Sequence, residues 1–179
     1  MVINGPALWV LEPIKGMSIH KEKLHGVSYG LSEAGYDIRI KQDIRFIPPD
    51  CYNGNKHNPF QLSGLAASYD PDASELIVNS GRFIIASAIE EFDMPDNLVG
   101  IVHDKSTWAR KGLSVFNTVI EPGWKGFLTL ELVYHGFEEL VIKAGSGIAQ
   151  VLFHQIATPS SYDGKYQNQE NKPVAAKDS

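Results

Sequence analysis

The chain has one cysteine, Cys51, in 179 residues. An intramolecular disulfide is therefore excluded, and so is a zinc framework of the usual cysteine spacings. A reducing compartment, the cytoplasm, is expected. Long apolar runs are also missing, since none reaches the roughly 18 to 20 residues that a membrane helix needs. The opening Met1-Val2-Ile3-Asn4-Gly5-Pro6 lacks the charged-then-apolar layout of a signal peptide. An excess of positive charge is absent too: Lys and Arg number 16 against 21 Asp and Glu, a formal charge of −5. That balance argues against a protein that coats nucleic acid or an anionic membrane, both of which need a basic face. It leaves room for a compact anionic ligand held by a local cluster of cations.

At this length, with 43% hydrophobic residues, the chain suits one domain with a sizeable core. Short apolar, β-branched segments recur between turn residues: Tyr36 to Ile40, Arg82 to Ala86, Phe127 to Val133 and Ile148 to Phe153. Asn79-Ser80-Gly81, Glu121-Pro122-Gly123 and Ala144-Gly145-Ser146-Gly147 separate them with the residues that tight connections require. The pattern predicts a mostly β fold, a barrel or jelly roll. One short helix is expected from Ser106 to Lys111, capped by Asp104 or Ser106 and stopped by Gly112. Residues Cys51 to Asp72 read as a long surface excursion, and 160–179 as a mobile polar tail behind a domain of residues 1–159.

The densest chemistry lies in Asp104-Lys105-Ser106-Thr107-Trp108-Ala109-Arg110, with two cations and two hydroxyls at an expected helix start. Backbone N–H groups, hydroxyls and cationic side chains converging there suit phosphate oxygens. The same residues also suit a solvated surface turn, and the segment alone does not choose between the two.

Its order relative to other elements does. After it come Glu121-Pro122-Gly123-Trp124-Lys125-Gly126, then Thr129-Leu130-Glu131-Leu132, then Gly147-Ile148-Ala149-Gln150, and in the tail Tyr162 and Lys165-Tyr166-Gln167-Asn168-Gln169. Upstream stand Gly35-Tyr36-Asp37-Ile38-Arg39 and Met94-Pro95-Asp96-Asn97-Leu98-Val99-Gly100. This ordered set resembles the dCTP deaminase branch of the trimeric dUTPase-like family and spans most of the chain.

The resemblance implies a distorted β-barrel or jelly roll of the dUTPase-like type, assembled as a homotrimer with sites at subunit interfaces. It implies hydrolytic deamination of dCTP to dUTP and ammonia in a bacterial, archaeal or phage-infected cell. Glu131 matches the family's general base, Ser106 the hydroxyl that holds the attacking water, and Arg110 the cation beside them. Lys105, Thr107, Lys165, Gln169 and Tyr162 are the expected phosphate and nucleotide ligands; Asn117, Thr118, Glu121 and Trp124 are expected around sugar and base. The tail would close over bound nucleotide.

Residue chemistry is compatible with these roles. Attack of water on C4 needs a base, and departure of ammonia needs an acid. One carboxyl can serve both steps. Glu131 sits in an apolar strand, where burial would raise its pKa; strand alternation alone also allows it to face solvent. Zinc-dependent deamination needs a His-x-Glu element joined to a Pro-Cys-x-x-Cys element. One cysteine and histidines at 20, 25, 57, 103, 135 and 154 cannot supply that set. Mg2+ is expected through the triphosphate oxygens, with no protein cage.

Three departures bear on specificity. Lys105 stands where the family usually has arginine, Glu121 where it has aspartate, and Val115 to Ile120 is two residues shorter than the family's base-facing hairpin. A modified cytosine nucleotide is therefore an admissible substrate. The competing readings are a dUTP pyrophosphatase, a bifunctional enzyme yielding dUMP, and a catalytically silent nucleotide-binding regulator. The first is disfavoured because the Gly-rich C-terminal motif of dUTPases is missing.

Overall fold

The computed structural model describes residues 1–48, 76–79, 82–116 and 118–178. The expected excursion from Cys51 to Asp72, and Asn117, lie outside the described residues. Along the chain run β1 (Val2–Ile3), α1 (Gly5–Leu11), β2 (Lys21–Leu24), β3 (Val27–Leu31), β4 (Tyr36–Arg39), β5 (Asp43–Phe46) and β6 (Leu76–Asn79). They are followed by β7 (Phe83–Asp93), β8 (Leu98–Asp104), α2 (Ser106–Ala109), β9 (Leu113–Val115), β10 (Val119–Ile120), β11 (Lys125–Tyr134), β12 (Leu140–Ile142) and β13 (Gly147–Gln155).

The largest sheet has seven strands, ordered β10-β8-β13-β4-β3-β2 with β1 also on β13; the others are β7-β11-β9 and β12-β5-β6. Among the named strands pairing is antiparallel except between β5 and β6, and an isolated parallel bridge joins Gly126 to Gln169. This is a jelly-roll-like arrangement of open sheets and not a closed barrel. Alternation explains the enclosure: Ile38, Val102, Val151 and Phe153 of the first sheet, Ile84, Leu130 and Leu132 of the second, and Ile44, Phe46 and Ile142 of the third form one buried cluster. Among the described residues no helix is long and apolar enough to cross a membrane.

Two expectations are corrected. A second helix, α1, exists; Pro in its first turn gives a ready-made start, but only Leu8 is buried, so the amphipathic signal is faint. The expected helix from Ser106 to Lys111 contracts to α2, four residues long. Its N-cap is Lys105, which makes no side-chain cap. Asp104 instead accepts from Val115 N at 2.7 Å.

So short a helix cannot hold itself. Beyond Asp104, two further contacts fix it to the large sheet. Trp108, 5% exposed, donates its indole N–H to Gly147 O at 2.7 Å. Lys105 pairs with Asp37 of β4, which also accepts from Ser28 Oγ at 3.2 Å.

The joint between the first two sheets is also polar. On β7, Glu90 is 4% exposed and accepts from Arg39 Nε and from Arg39 N, each at 2.8 Å. Burial raises the Glu90 carboxyl above its ordinary range, against the pull of Arg39. Arg39 also lies over the Tyr29 ring, 4.7 Å from its centroid. The β7–β11 register breaks beside this pair, between Phe127 and Thr129. That break sets the frame of the site, because it decides which face Thr129 and Glu131 present.

Candidate active site

After the register break, the strand alternates. Leu130 and Leu132 enter the core, at 1% and 0% exposed, while Glu131 is half-buried on the opposite face beside its cross-strand partner Ile85. This face is partly covered. It forms one wall of a cavity of about 590 Å³ shared with Phe83, Thr118, Glu121, Trp124 and the tail. The volume falls in the range of ligand pockets.

Burial raises the Glu131 carboxyl above the ordinary carboxylate range, and its own backbone N–H opposes the rise. Among the described residues no cation contributes. A proton therefore binds more tightly to this group in the folded than in the unfolded chain, which suits a residue that must take a proton and return it.

The tail forms the far wall. Tyr162 N donates to Pro122 O at 2.8 Å, and Trp124 donates its indole N–H to Tyr166 O at 2.7 Å. Phe127 N donates to Gln169 O at 3.0 Å. The Gln167 side chain donates to Gly123 O and Tyr162 O, at 3.0 and 2.9 Å, and accepts from Lys125 N at 2.8 Å. Two glycines of the Glu121 to Gly126 turn are explained by this crossing. Gly123 has φ +72°, and a Cβ there would lie 2.4 Å from Ser161 Oγ; Gly126 has φ +130°, and a Cβ would lie 2.5 Å from Gln169 N. Only glycine fits both the backbone and the approach.

Glu131, Thr118, Glu121, Trp124, Tyr162 and Gln169, all expected from sequence, line the one cavity. Trp124 is 6% exposed and packs 6.0 Å from the Phe92 ring, so it serves core and cavity at once. The remaining described candidates do not line it. Ser106, Thr107 and Arg110 are exposed on and beside α2. Lys105 is engaged by Asp37. Lys165 donates to Lys177 O at 2.6 Å and lies over the Tyr166 ring. His103 sits on β8 opposite Gln150.

Sequence reasoning missed Phe83, Ile85, Thr129 and Tyr166 as lining residues. For Thr129 a signal exists: it stands two residues before Glu131, on the same face of the strand. Among the described residues the lining contains two carboxylates, Glu121 and Glu131, and no lysine or arginine. Among the described residues no group of three His, Cys, Asp or Glu side chains could hold a metal ion.

Comparison with known proteins agrees with this architecture. Residues 14–156 match the dCTP deaminase-like family. The dCTP deaminase of Campylobacter concisus is 36% identical over 155 residues, covering 80% of this chain and 78% of the relative. That of Campylobacter jejuni is 38% identical over 149 residues, with the same coverage. That of Chlamydia muridarum is 37% identical over 158 residues, covering 86% and 80%. Among solved structures, a dUTPase from phage phi11 of S. aureus aligns with a TM-score of 0.51 at 14% identity, over 85% of this chain and 95% of that one. At that identity the likeness concerns the fold alone.

Proposed function

We propose, from the fact that this chain belongs to the dCTP deaminase-like family, that it hydrolyses the 4-amino group of a deoxycytidine nucleotide, converting dCTP to dUTP and ammonia. The observation that carries this reading is the half-buried Glu131 carboxyl, raised by burial and facing a cavity of nucleotide size. Glu131 takes a proton from a water molecule as its oxygen attacks C4. It then delivers a proton to the amino group as the C4–N bond breaks. Thr118, Glu121 and Trp124 hold sugar and base, Gln169 and Tyr162 hold the nucleotide from the tail, and residues 160–179 close the site.

A triphosphate does not suit a wall whose described residues offer two carboxylates and no cation. The cations therefore come from outside this lining. Exposed Ser106, Thr107 and Arg110 of a second copy are the fitting source, with Ser106 and Arg110 completing the water site beside Glu131. An apolar lip agrees with docking of a copy there: Phe116 and Val119 are 55% and 51% exposed, and the tilted rings of Phe116 and Phe83, the latter in the cavity wall, lie 6.2 Å apart. A homotrimer with three such sites is the assembly proposed. Mg2+ would be held by the triphosphate oxygens and water, screening their charge, since no carboxylate cage stands in the described residues. The water is activated by Glu131 without zinc.

Incubation with dCTP, dUTP and 5-substituted dCTPs, followed by separation of products, tests the reading. Ammonia with dUTP is the expected result. Pyrophosphate from dUTP would instead mark a pyrophosphatase, dUMP from dCTP a bifunctional enzyme, and binding without turnover a regulator.

A further inference from the structure

Thr129 has one hydroxyl proton and two lone pairs to place. Both lone pairs are taken by the tail: Gln169 Nε2 donates at 2.5 Å and Val174 N at 3.1 Å. The residue is 8% exposed, so bulk water is excluded from most of it. The two donors come from points five residues apart in the tail, and the intervening Pro173 is buried. One hydroxyl thus ties two points of the tail to β11 at the level of Glu131, next to the bond from Phe127 N to Gln169 O. With its acceptor capacity filled, the hydroxyl must donate its proton elsewhere, and no described residue accepts it. The side chain faces the cavity, together with Glu131, Gln169 and Val174.

We propose that Thr129 is both the latch of the tail and a hydrogen-bond donor to the nucleotide. Its hydroxyl accepts from Gln169 and Val174, and this turns its proton into the cavity, toward an acceptor oxygen of the bound nucleoside. The proposal rests on the deaminase reading for its ligand, and on the tail contacts alone for its latch. It also gives the tail a reason to close in register with the strand of Glu131: an atom that helps to fix the tail is polarised by it, since a hydroxyl that accepts two bonds becomes a better donor.

The variants Thr129→Val, which keeps the shape and removes the hydroxyl, and Thr129→Ser, which restores it, test this in the full-length protein. Hydrogen exchange of the segment 166–178, measured without nucleotide, is expected to quicken about tenfold in Thr129→Val, and the Kd for dCTP in a Glu131→Gln background to rise about tenfold. Thr129→Ser is expected to keep both within about twofold of the parent, because it retains the same donor and acceptor groups. Exchange in β13 and β4 should stay unchanged and reports intact folding. Parental tail exchange in Thr129→Val would overturn the latch. Faster exchange with an unchanged Kd would overturn the donor, and failure of serine to rescue would overturn the hydroxyl as the cause. An unsubstituted protein that releases no ammonia from dCTP refutes the deaminase reading instead, and leaves the exchange result standing.

Discussion

Glu131→Gln should lower the rate of ammonia release from dCTP by at least about 10³-fold while nucleotide affinity changes little. General acid–base catalysis by a positioned side chain is worth roughly 10² to 10⁴, and in the proposed mechanism one carboxyl performs both proton transfers. Glutamine keeps the shape and can still hydrogen-bond, but it accepts no proton from water at neutral pH. Steady-state kinetics with calorimetric binding check this. Undiminished turnover would remove Glu131 from the mechanism.

The same substitution carries a stability signature of known sign. Burial raises the Glu131 pKa above its unfolded value, so the folded chain holds more protons than the unfolded one as pH rises from the ordinary carboxylate range toward the raised pKa. Stability falls through that window. Glutamine never ionises. Relative to the parent, Glu131→Gln should melt higher at neutral pH, and the difference should vanish as the solution is acidified below the ordinary glutamate range. A parent and variant with parallel melting curves at every pH would contradict the burial argument. Glu90 is raised by burial as well, against Arg39, but it is common to both proteins and cancels in the comparison.

The second large effect concerns a residue outside the cavity of its own chain. Arg110→Ala should lower turnover about 10²- to 10³-fold, the usual loss when one preorganised electrostatic group is removed from a reacting centre. Folding should be little affected. Arg110 is exposed, and α2 is anchored by Trp108, Lys105 and Asp104 and not by Arg110. Loss of activity without loss of melting temperature is the expected pair of results. Wild-type kinetics would refute the role.

The elements that sequence revealed best are those whose apolar alternation is unbroken. Strand β11 is read from Phe127 to Val133 and runs from Lys125 to Tyr134; β13 gains one residue before and two after its expected span. Strand β7 was legible only to Ala86 and continues to Asp93. Its later half buries polar groups, Ser87 bonded to Gln42 and Glu90 to Arg39, so the apolar signature disappears although the strand does not. Alternation in the sequence left open whether Glu131 faces solvent or a cavity. The tail decides this, and its contacts join residues about 40 positions apart. Lys105 illustrates the opposite failure. Read locally it is a cation beside two hydroxyls; its partner Asp37 lies 68 residues away, beyond any local pattern. The residues around Glu131 could be collected from one ordered set of motifs, whereas the separation of that cavity from α2 within one chain is a property of the fold.

In the proposed assembly the active site is a joint product of two copies. Glu131→Gln and Arg110→Ala proteins, each inactive alone, can be unfolded together, refolded and assayed. If each site takes Glu131 from one copy and Arg110 from another, random mixing into trimers pairs two intact halves at about one quarter of the sites. Activity should return to about a quarter of the wild-type value. Mixed protein as inactive as its parents, despite shared oligomers, would show that each chain builds its site alone and would contradict the account.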